Sequence, residues 1–340
     1  MKVNNLEKVF IIAEAGVNHN GSLKKALKLI NLASSAGADA IKFQTFKAEN
    51  LVTHRAPKAE YQKYKSLKKE TQFQMLKKLE FSYEMHRACI RECKKKKIIF
   101  ISSAFDIESL NYLKKIKLKY YKVPSGEITN VPYLKILGKF RKKIILSTGM
   151  STNNEIEKAL KILIKSGTNK KNIILLQCTS AYPAPYEELN LNVIKSLRDK
   201  FRLNVGFSDH SLGVQASIGA VALGAKVIEK HLTLSKKLKG PDHKASLSPR
   251  EFKFMVKSIR IIEKSLGSKI KDITKSEKSN IHVVRKSIVA KKNIKKKERF
   301  TSKNITTKRP EYGLSAIHWD KVIGKKATKN FNYNDFVTLK

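Results

Sequence analysis

Acidic residues are scarce in this sequence: 28 Asp and Glu stand against 71 Lys and Arg in 340 residues, a formal net charge of +43. Cysteine is scarcer, with three, tryptophan occurs once and proline eight times. Each shortage excludes something. Three cysteines make no disulfide framework. Cys89 and Cys93 lie four apart on an expected helix and Cys178 closes an apolar run, so each reads as a buried, reduced thiol, which fits a reducing cytoplasm. No stretch approaches the roughly 18 uninterrupted apolar residues of a membrane span. The opening MKVNNLEKVFIIAEAG has a short apolar stretch ending in glutamate, which suits a first strand better than a secretion signal. A P-loop, a dinucleotide fingerprint, a G-x-S-x-G elbow and a Cys-rich zinc site are all missing.

The charge raises the question of nucleic acid. Sixty of the 71 basic residues are lysine and 11 are arginine, and they are spread over the whole length. The runs 94–97 and 295–297 fall at an expected helix end and a turn. No arginine-and-aromatic pattern of a base-stacking platform accompanies them. The excess therefore reads as a solvated lysine surface that also steers anionic substrates, with no specific nucleic acid and no membrane as partner.

What the sequence has is eight short apolar runs, each ending in polar, chemically able residues. They end at Glu14, Lys42/Gln44, Ser102/Ser103, Lys122/Ser125/Glu127, Ser147, Gln177, Ser208/Asp209/His210 and Glu229/His231. Strands are expected at 9–13, 40–44, 98–102, 120–123, 144–146, 173–177, 204–207 and 226–230, with helical stretches between them. The helix over 23–35 keeps helical spacing and stops at Gly37; a last one covers 249–265. Eight strand–helix units predict an α/β fold, a (β/α)₈ TIM barrel, whose chemistry sits at the C-terminal strand ends. The connection from residue 45 through Pro57 and Tyr61 to about 81 is long enough to shape a pocket. Periodicity vanishes over 267–280, as in a linker. Short β-like pieces follow at 283–290, 299–300, 305–309, 322–327 and 336–339 and suggest a small β module.

Three constellations carry chemistry. His210 and His231 are 21 residues apart with one helix between them, so they close neighbouring strands and can share a divalent ion. Lys42, Lys122, Ser103, Ser125, Ser147 and Ser208 suit a phosphate and a carboxylate; the lysines stand out because they lie in apolar strands, where an unpaired ammonium is costly. An ion pair with Glu14 or Glu127 is the plainer explanation of either lysine. Glu14, Glu127 and Asp242 are carboxylates for proton transfer or sugar hydroxyls, and Gln44 joins the substrate groups at its strand end. His19, His243 and Tyr182 fall in loops at the same face as lining residues. His54, His86, His282 and His318 read as structural or surface histidines.

With these residues in place, the sequence resembles the sialic acid synthase family, enzymes that condense phosphoenolpyruvate with an N-acetylated amino-sugar. The segments that carry the resemblance are IAEAGVNHNGS, AIKFQTFKAENL, APKAEYQ, SSAFD, YKVPSGEITNVPYL, IILSTGMS, QCTSAYPAPYEELNLN, VGFSDHS, VIEKHLTL and GPDHKASLSP, then RKSIVAKKNIKK and NITTKRP. The resemblance implies a synthase barrel over 1–266, a linker over 267–281 and a β-clip SAF (antifreeze-like) domain over 282–340. It implies Mn²⁺, with Mg²⁺ or Co²⁺ as substitutes, on His210 and His231. Phosphoenolpyruvate would lie on Lys42, Ser103, Lys122, Ser125, Ser147 and Ser208. Glu127 would position or deprotonate the attacking water, and Glu14, Tyr182 and Asp242 would bind the sugar. Arg309 would reach from the SAF domain into a partner's site, making a domain-swapped homodimer. The resemblance implies first an N-acetylneuraminate synthase with N-acetylmannosamine as acceptor; the alternative is a diacetyllegionaminate synthase, whose acceptor is 2,4-diacetamido-2,4,6-trideoxymannose, with pseudaminic acid synthesis a further relative. Two departures from the family pattern stand out. Ser103 and Ala104 replace a frequent Thr-Pro pair, and KRPEYG puts Glu311 near Arg309.

Overall fold

The computed structural model describes residues 8–59, 62 and 70–339. Tyr61, in the long connection, lies outside them. The chain divides into two compact units, Met1–Gly267 and Ser268–Lys340.

The first unit is a closed barrel of eight parallel strands in sequence order. The strands are β1 (Phe10–Gly16), β2 (Ala40–Thr45), β3 (Ile99–Ala104), β4 (Tyr120–Val123), β5 (Lys143–Ser147), β6 (Ile173–Cys178), β7 (Asn204–Asp209) and β8 (Val227–His231). The helices are α1 (Leu23–Ser35), α2 (Ala48–Leu51), α3 (Gln72–Lys77), α4 (Tyr83–Lys95), α5 (Ile107–Lys115), α6 (Val131–Gly138), α7 (Asn153–Lys165), α8 (Val193–Phe201), α9 (Gln215–Ala222) and α10 (Pro249–Ser265). Both helices placed from spacing, α1 and α10, have the expected bounds. Local signals explain them. Ser22 caps α1, Ser248 and Glu251 form a capping box on α10 with Pro249 in its first turn, and Gly37 takes φ +86° just past α1.

Most strands run past their apolar stretch. The ladder continues through the polar ends, pairing Glu14 with Lys42, Ser103 with Lys122 and Ser208 with Glu229. The reason is that backbone pairing closes the barrel whatever the side chain, whereas apolarity stops where the interior opens to solvent. Side chains alternate across each strand. Phe10, Ile12, Ala40, Ile101, Tyr120, Ile145, Ile174, Leu176 and Val227 fill the lower interior. The opposite faces pack against the helices as one large apolar layer. The next inward position above the plug is where the chemistry-bearing residues stand.

The long β2–β3 connection carries α2, α3 and α4, and Val17, Phe46, Met75 and Leu79 form a small apolar cluster there. No helix among the described residues is long and apolar enough to cross a membrane.

The second unit has a two-stranded antiparallel sheet, β9 (Ser287–Ala290) with β10 (Ile305–Lys308), and isolated bridges Ile294–Phe331, Arg299–Lys326 and Val289–Phe336. The β-like piece expected from 283 starts later, because Ile281–Val284 forms a helical turn, and the piece expected from 322 is preceded by the helical turn Trp319–Val322. Apolar runs this short are ambiguous between strand and helix. Ile288, Ile294, Phe300, Ile305, Val322, Phe331 and Val337 build its own core.

Candidate active site

A cavity of about 420 Å³ opens at the C-terminal ends of the strands. Glu14, Lys42, Gln44, Lys122, Ser125, Ser147, Tyr182, Ser208, His210, His231 and Asp242 line it, as do Cys178, Ser180 and Glu229. Most of the expected residues therefore meet in one place. Ser103 is buried and sits one layer back, where its hydroxyl meets Lys42 Nζ at 3.1 Å. Glu127 follows the lining segment 124–126, but its carboxylate accepts from Asn130 Nδ2 at 2.6 Å and does not line the cavity. Arg309 belongs to the second unit and is exposed. Glu311 pairs with Arg285 at 4.0 Å; among the described residues no ion pair joins it to Arg309.

The floor is a row of buried charges. Lys42 Nζ lies 2.9 Å from Glu14 and 3.6 Å from Glu229 Oε1; Lys122 Nζ lies 3.6 Å from the same Glu229 oxygen. Lys122 also donates to Ser147 Oγ at 2.7 Å, and Ser208 donates to Glu229 at 3.1 Å. Of the two partners expected for the lysines, Glu14 pairs with Lys42, whereas Glu127 is engaged by Asn130 and Glu229 takes its place between the two ammoniums. Glu229 was named only as a strand end, yet it stands between both ammoniums. The signal was its parity: it is two residues before His231, so both point inward. The same parity separates Ser102, Gln177 and Asp209, which face outward, from Ser103, Cys178 and Ser208 or His210, which face in. Cys178, read as an inert core thiol, lies 3.7 Å from His210 Nδ1.

Burial and charge tune these groups. Burial pushes the Glu14 carboxyl up to about 7 against the pull of Lys42, and pushes Asp242 up to about 6. Burial lowers Lys122, an effect Glu229 only partly offsets. Burial also disfavours the charged form of Lys42, but Glu14 and Glu229 outweigh it and raise its pKa. Glu229 is held low by the two lysines despite its burial. Gly16, at φ +51°, keeps space open: a Cβ there would come within 3.2 Å of both Glu14 and Asp242. Gly149 donates its N–H to Ser125 Oγ at 3.0 Å, and a Cβ there would meet Ser180 Oγ at 2.3 Å. Hydroxyls, a backbone amide and Lys122 at one spot suit a phosphate.

The two histidines meet as expected, with ring centroids 5.5 Å apart, and Tyr182 stacks on His210 at 4.1 Å. His210 Nδ1 faces the Thr179 carbonyl at 2.8 Å, which leaves Nε2 for a metal. Among the described residues, buried His231 has no hydrogen-bond partner for Nδ1, and Asp242 stands 3.9 Å from it. Burial and His210 press the His231 pKa well down, so it is neutral and able to ligate. An orphaned imidazole nitrogen beside a free one fits a divalent ion. Among the described residues no group of three or more His, Cys, Asp or Glu is arranged to hold a metal, and two imidazoles as the only protein ligands would leave positions open for water and substrate.

Residues 29–271 match the NeuB family and residues 285–340 the SAF domain. The chain belongs to the NeuB family. It is 52% identical over 332 residues to an N,N'-diacetyllegionaminic acid synthase of Campylobacter jejuni, covering 98% of this chain and 99% of that one. A protein of the same name from Legionella pneumophila is 48% identical over 261 residues, 76% of this chain and 73% of its own length. The solved N-acetylneuraminic acid synthetase of Leptospira borgpetersenii, in complex with citrate, superposes with TM-score 0.71 at 35% identity, covering 82% of this chain and 91% of that one. The NeuB barrel is an enzyme, a nonulosonic acid synthase that forms a carbon–carbon bond, and its family is metal-dependent in general.

Proposed function

We propose that this NeuB enzyme condenses phosphoenolpyruvate with 2,4-diacetamido-2,4,6-trideoxymannose and water to give N,N'-diacetyllegionaminate and phosphate. N-acetylmannosamine, the first acceptor considered, is less well supported. The observation that carries the choice is the two-sided cavity. Besides the charged floor, the lining has an apolar group, Phe46, Leu51, Val52, Met75 and Leu76 from the β2–β3 connection and Phe105 just after β3, with Gln62 and Gln72 as the polar members of that connection. A sugar with a methyl at C6 and two acetyl groups matches an apolar wall. A sugar bearing hydroxyls at C4 and C6 leaves that wall against polar groups. The 52% identity to the Campylobacter enzyme supports the same choice.

In this reading Lys122, Ser125 and Ser147 hold the phosphate, with the Gly149 amide fixing the Ser125 hydroxyl, and Lys42 with Ser103 and Ser208 holds the carboxylate. Gln44, Tyr182 and Asp242 orient the sugar. His210 and His231 would hold the divalent ion, Mn²⁺ with Mg²⁺ or Co²⁺ as substitutes, which would supply Lewis-acid polarisation of the open-chain aldehyde. C3 of phosphoenolpyruvate attacks the aldehyde carbon, and Glu14, protonated near neutral pH, gives the aldehyde oxygen its proton. Water adds at C2, and Glu127, whose carboxyl burial raises above the ordinary range, would take its proton after leaving Asn130 and turning into the cavity. The tetrahedral adduct then expels phosphate with C–O cleavage. The lysines offset the charge that accumulates.

We further propose that the synthase domain, 1–266, joins the SAF domain, 282–340, through a linker at 267–281, and that two chains pair in the cytoplasm. Arg309 of each SAF domain would then meet the acetamido group at the other chain's mouth. Its exposure and the engagement of Glu311 by Arg285 leave Arg309 available. Phosphate release with Mn²⁺, phosphoenolpyruvate and one sugar at a time tests the proposal. Release with the diacetamido sugar at least tenfold above N-acetylmannosamine or its 6-phosphate is the expected result. The reverse order would reject the acceptor, and no release with any sugar would reject the reaction.

A further inference from the structure

Behind the two metal-binding histidines lies a second charged pair that faces away from the cavity. Asp209 and Lys230 are register partners on β7 and β8. Their side chains are 0% exposed, with Lys230 Nζ 2.9 Å from Asp209 Oδ2. They sit on the outward side of the barrel, where the other strands present Ile, Leu, Val and Phe to the helices. Asp209 is fully engaged. It accepts from the Ser211 amide at 2.9 Å, from Ser211 Oγ at 2.6 Å and from Ser217 Oγ on α9 at 2.6 Å. Lys230 also donates to the Ser211 carbonyl at 2.6 Å.

A buried ion pair of this kind adds little to stability compared with apolar residues of similar volume. What it does here is geometric. Residues 209 and 211 flank His210, and 230 precedes His231, so one network ties the backbone on both sides of one ligand to the strand carrying the other. A centre with two protein ligands has no third side chain to correct their spacing, so the strand seam itself must set it. We propose that the Asp209–Lys230–Ser211–Ser217 network is a bracket that positions His210 and His231 for the divalent ion. This rests on the metal reading of those histidines. These four are positioning residues; none touches the substrate.

The test measures Mn²⁺ affinity directly, by calorimetry or from the electron spin resonance of free Mn²⁺, on full-length protein without substrates. The double variant Asp209→Leu/Lys230→Met removes both charges and leaves neither orphaned. It is expected to melt within a few degrees of the parent yet bind Mn²⁺ about 10- to 100-fold more weakly, the range for losing a group that orients a ligand. Lys230→Arg, which keeps the charge, is expected to restore most of the affinity. A folded double variant with Mn²⁺ affinity within twofold of the parent would overturn the bracket. If the double variant does not fold, Ser217→Ala removes one bond to Asp209 and keeps the pair. It should weaken Mn²⁺ binding about threefold, and an unchanged value overturns the proposal equally. His210→Ala separates the two levels. Undiminished Mn²⁺ binding there rejects the metal reading itself, whereas its loss there, with the bracket variants unaffected, rejects only the bracket.

Discussion

Two buried charge clusters lie at the same end of the barrel, with β8 common to both, and behave oppositely. The outer one, Asp209 with Lys230, is saturated: both carboxylate oxygens and the ammonium have partners, and neither residue lines the cavity. The inner one, Lys42–Glu14–Glu229–Lys122, lines the cavity, and Glu229 Oε2 and the nearby His231 Nδ1 have no hydrogen-bond partner among the described residues. Buried polar atoms are ordinarily satisfied. A saturated cluster holds the scaffold together, and an unsaturated one is the part that a ligand completes. Burial and charge alone, which both clusters share, do not tell a site from a strut.

Substitutions sharpen that contrast. The largest losses belong to the proton-handling carboxylates. Glu127→Gln and Glu14→Gln should each lower kcat about 10²- to 10⁴-fold with Mn²⁺ binding intact. Stopped assays with both substrates read this out, and near-parental turnover removes that residue from the chemistry. Lys122→Met comes next. It leaves Glu229 with one ammonium and strips the phosphate site, so kcat/KM for phosphoenolpyruvate should fall on the order of 10²- to 10³-fold. A drop confined to the sugar would place the phosphate elsewhere.

The pH profile is a subtler probe of the inner cluster. The Glu14 carboxyl is raised to about 7, and in the proposed mechanism its protonated form is the donor. Activity should therefore decline as pH climbs through about 7, and Glu14→Gln should lose that limb in whatever rate remains. A limb that persists in the variant belongs to another group. At the apolar wall, Leu76→Gln should cost about tenfold in kcat/KM for the diacetamido sugar and far less for N-acetylmannosamine; equal effects would mean the wall does not read the acceptor. The smallest effect concerns Arg309→Ala. Its KM for the sugar should rise several-fold while that for phosphoenolpyruvate stays put, and parallel rises would mean it does not touch the acceptor.

Much of the fold was legible because its signals are local. Eight apolar runs, the helical spacing of α1 and α10 and the caps at Ser22 and Ser248 lie within a few residues of what they specify. The strand ends also announced Lys42, Lys122, His210 and His231, since a charged or metal-binding side chain in an apolar run calls for an explanation. Glu229 was passed over because a glutamate beside a lysine in EKH looks like a surface pair until parity assigns the two to opposite faces. The short pieces of the second unit were the least legible, because runs of four apolar residues fit a strand or a helical turn equally well.

The sequence by itself determined the barrel, the positions of its chemistry along the chain and the SAF module after it, because periodicity and caps are properties of neighbouring residues. Only the tertiary structure decided which oxygen serves two lysines, which histidine nitrogen is left unpaired, and that Asp209 and Lys230 turn their backs on the cavity that His210 and His231 face. Those facts are distances between residues tens or hundreds of positions apart, and they exist only once the barrel has closed.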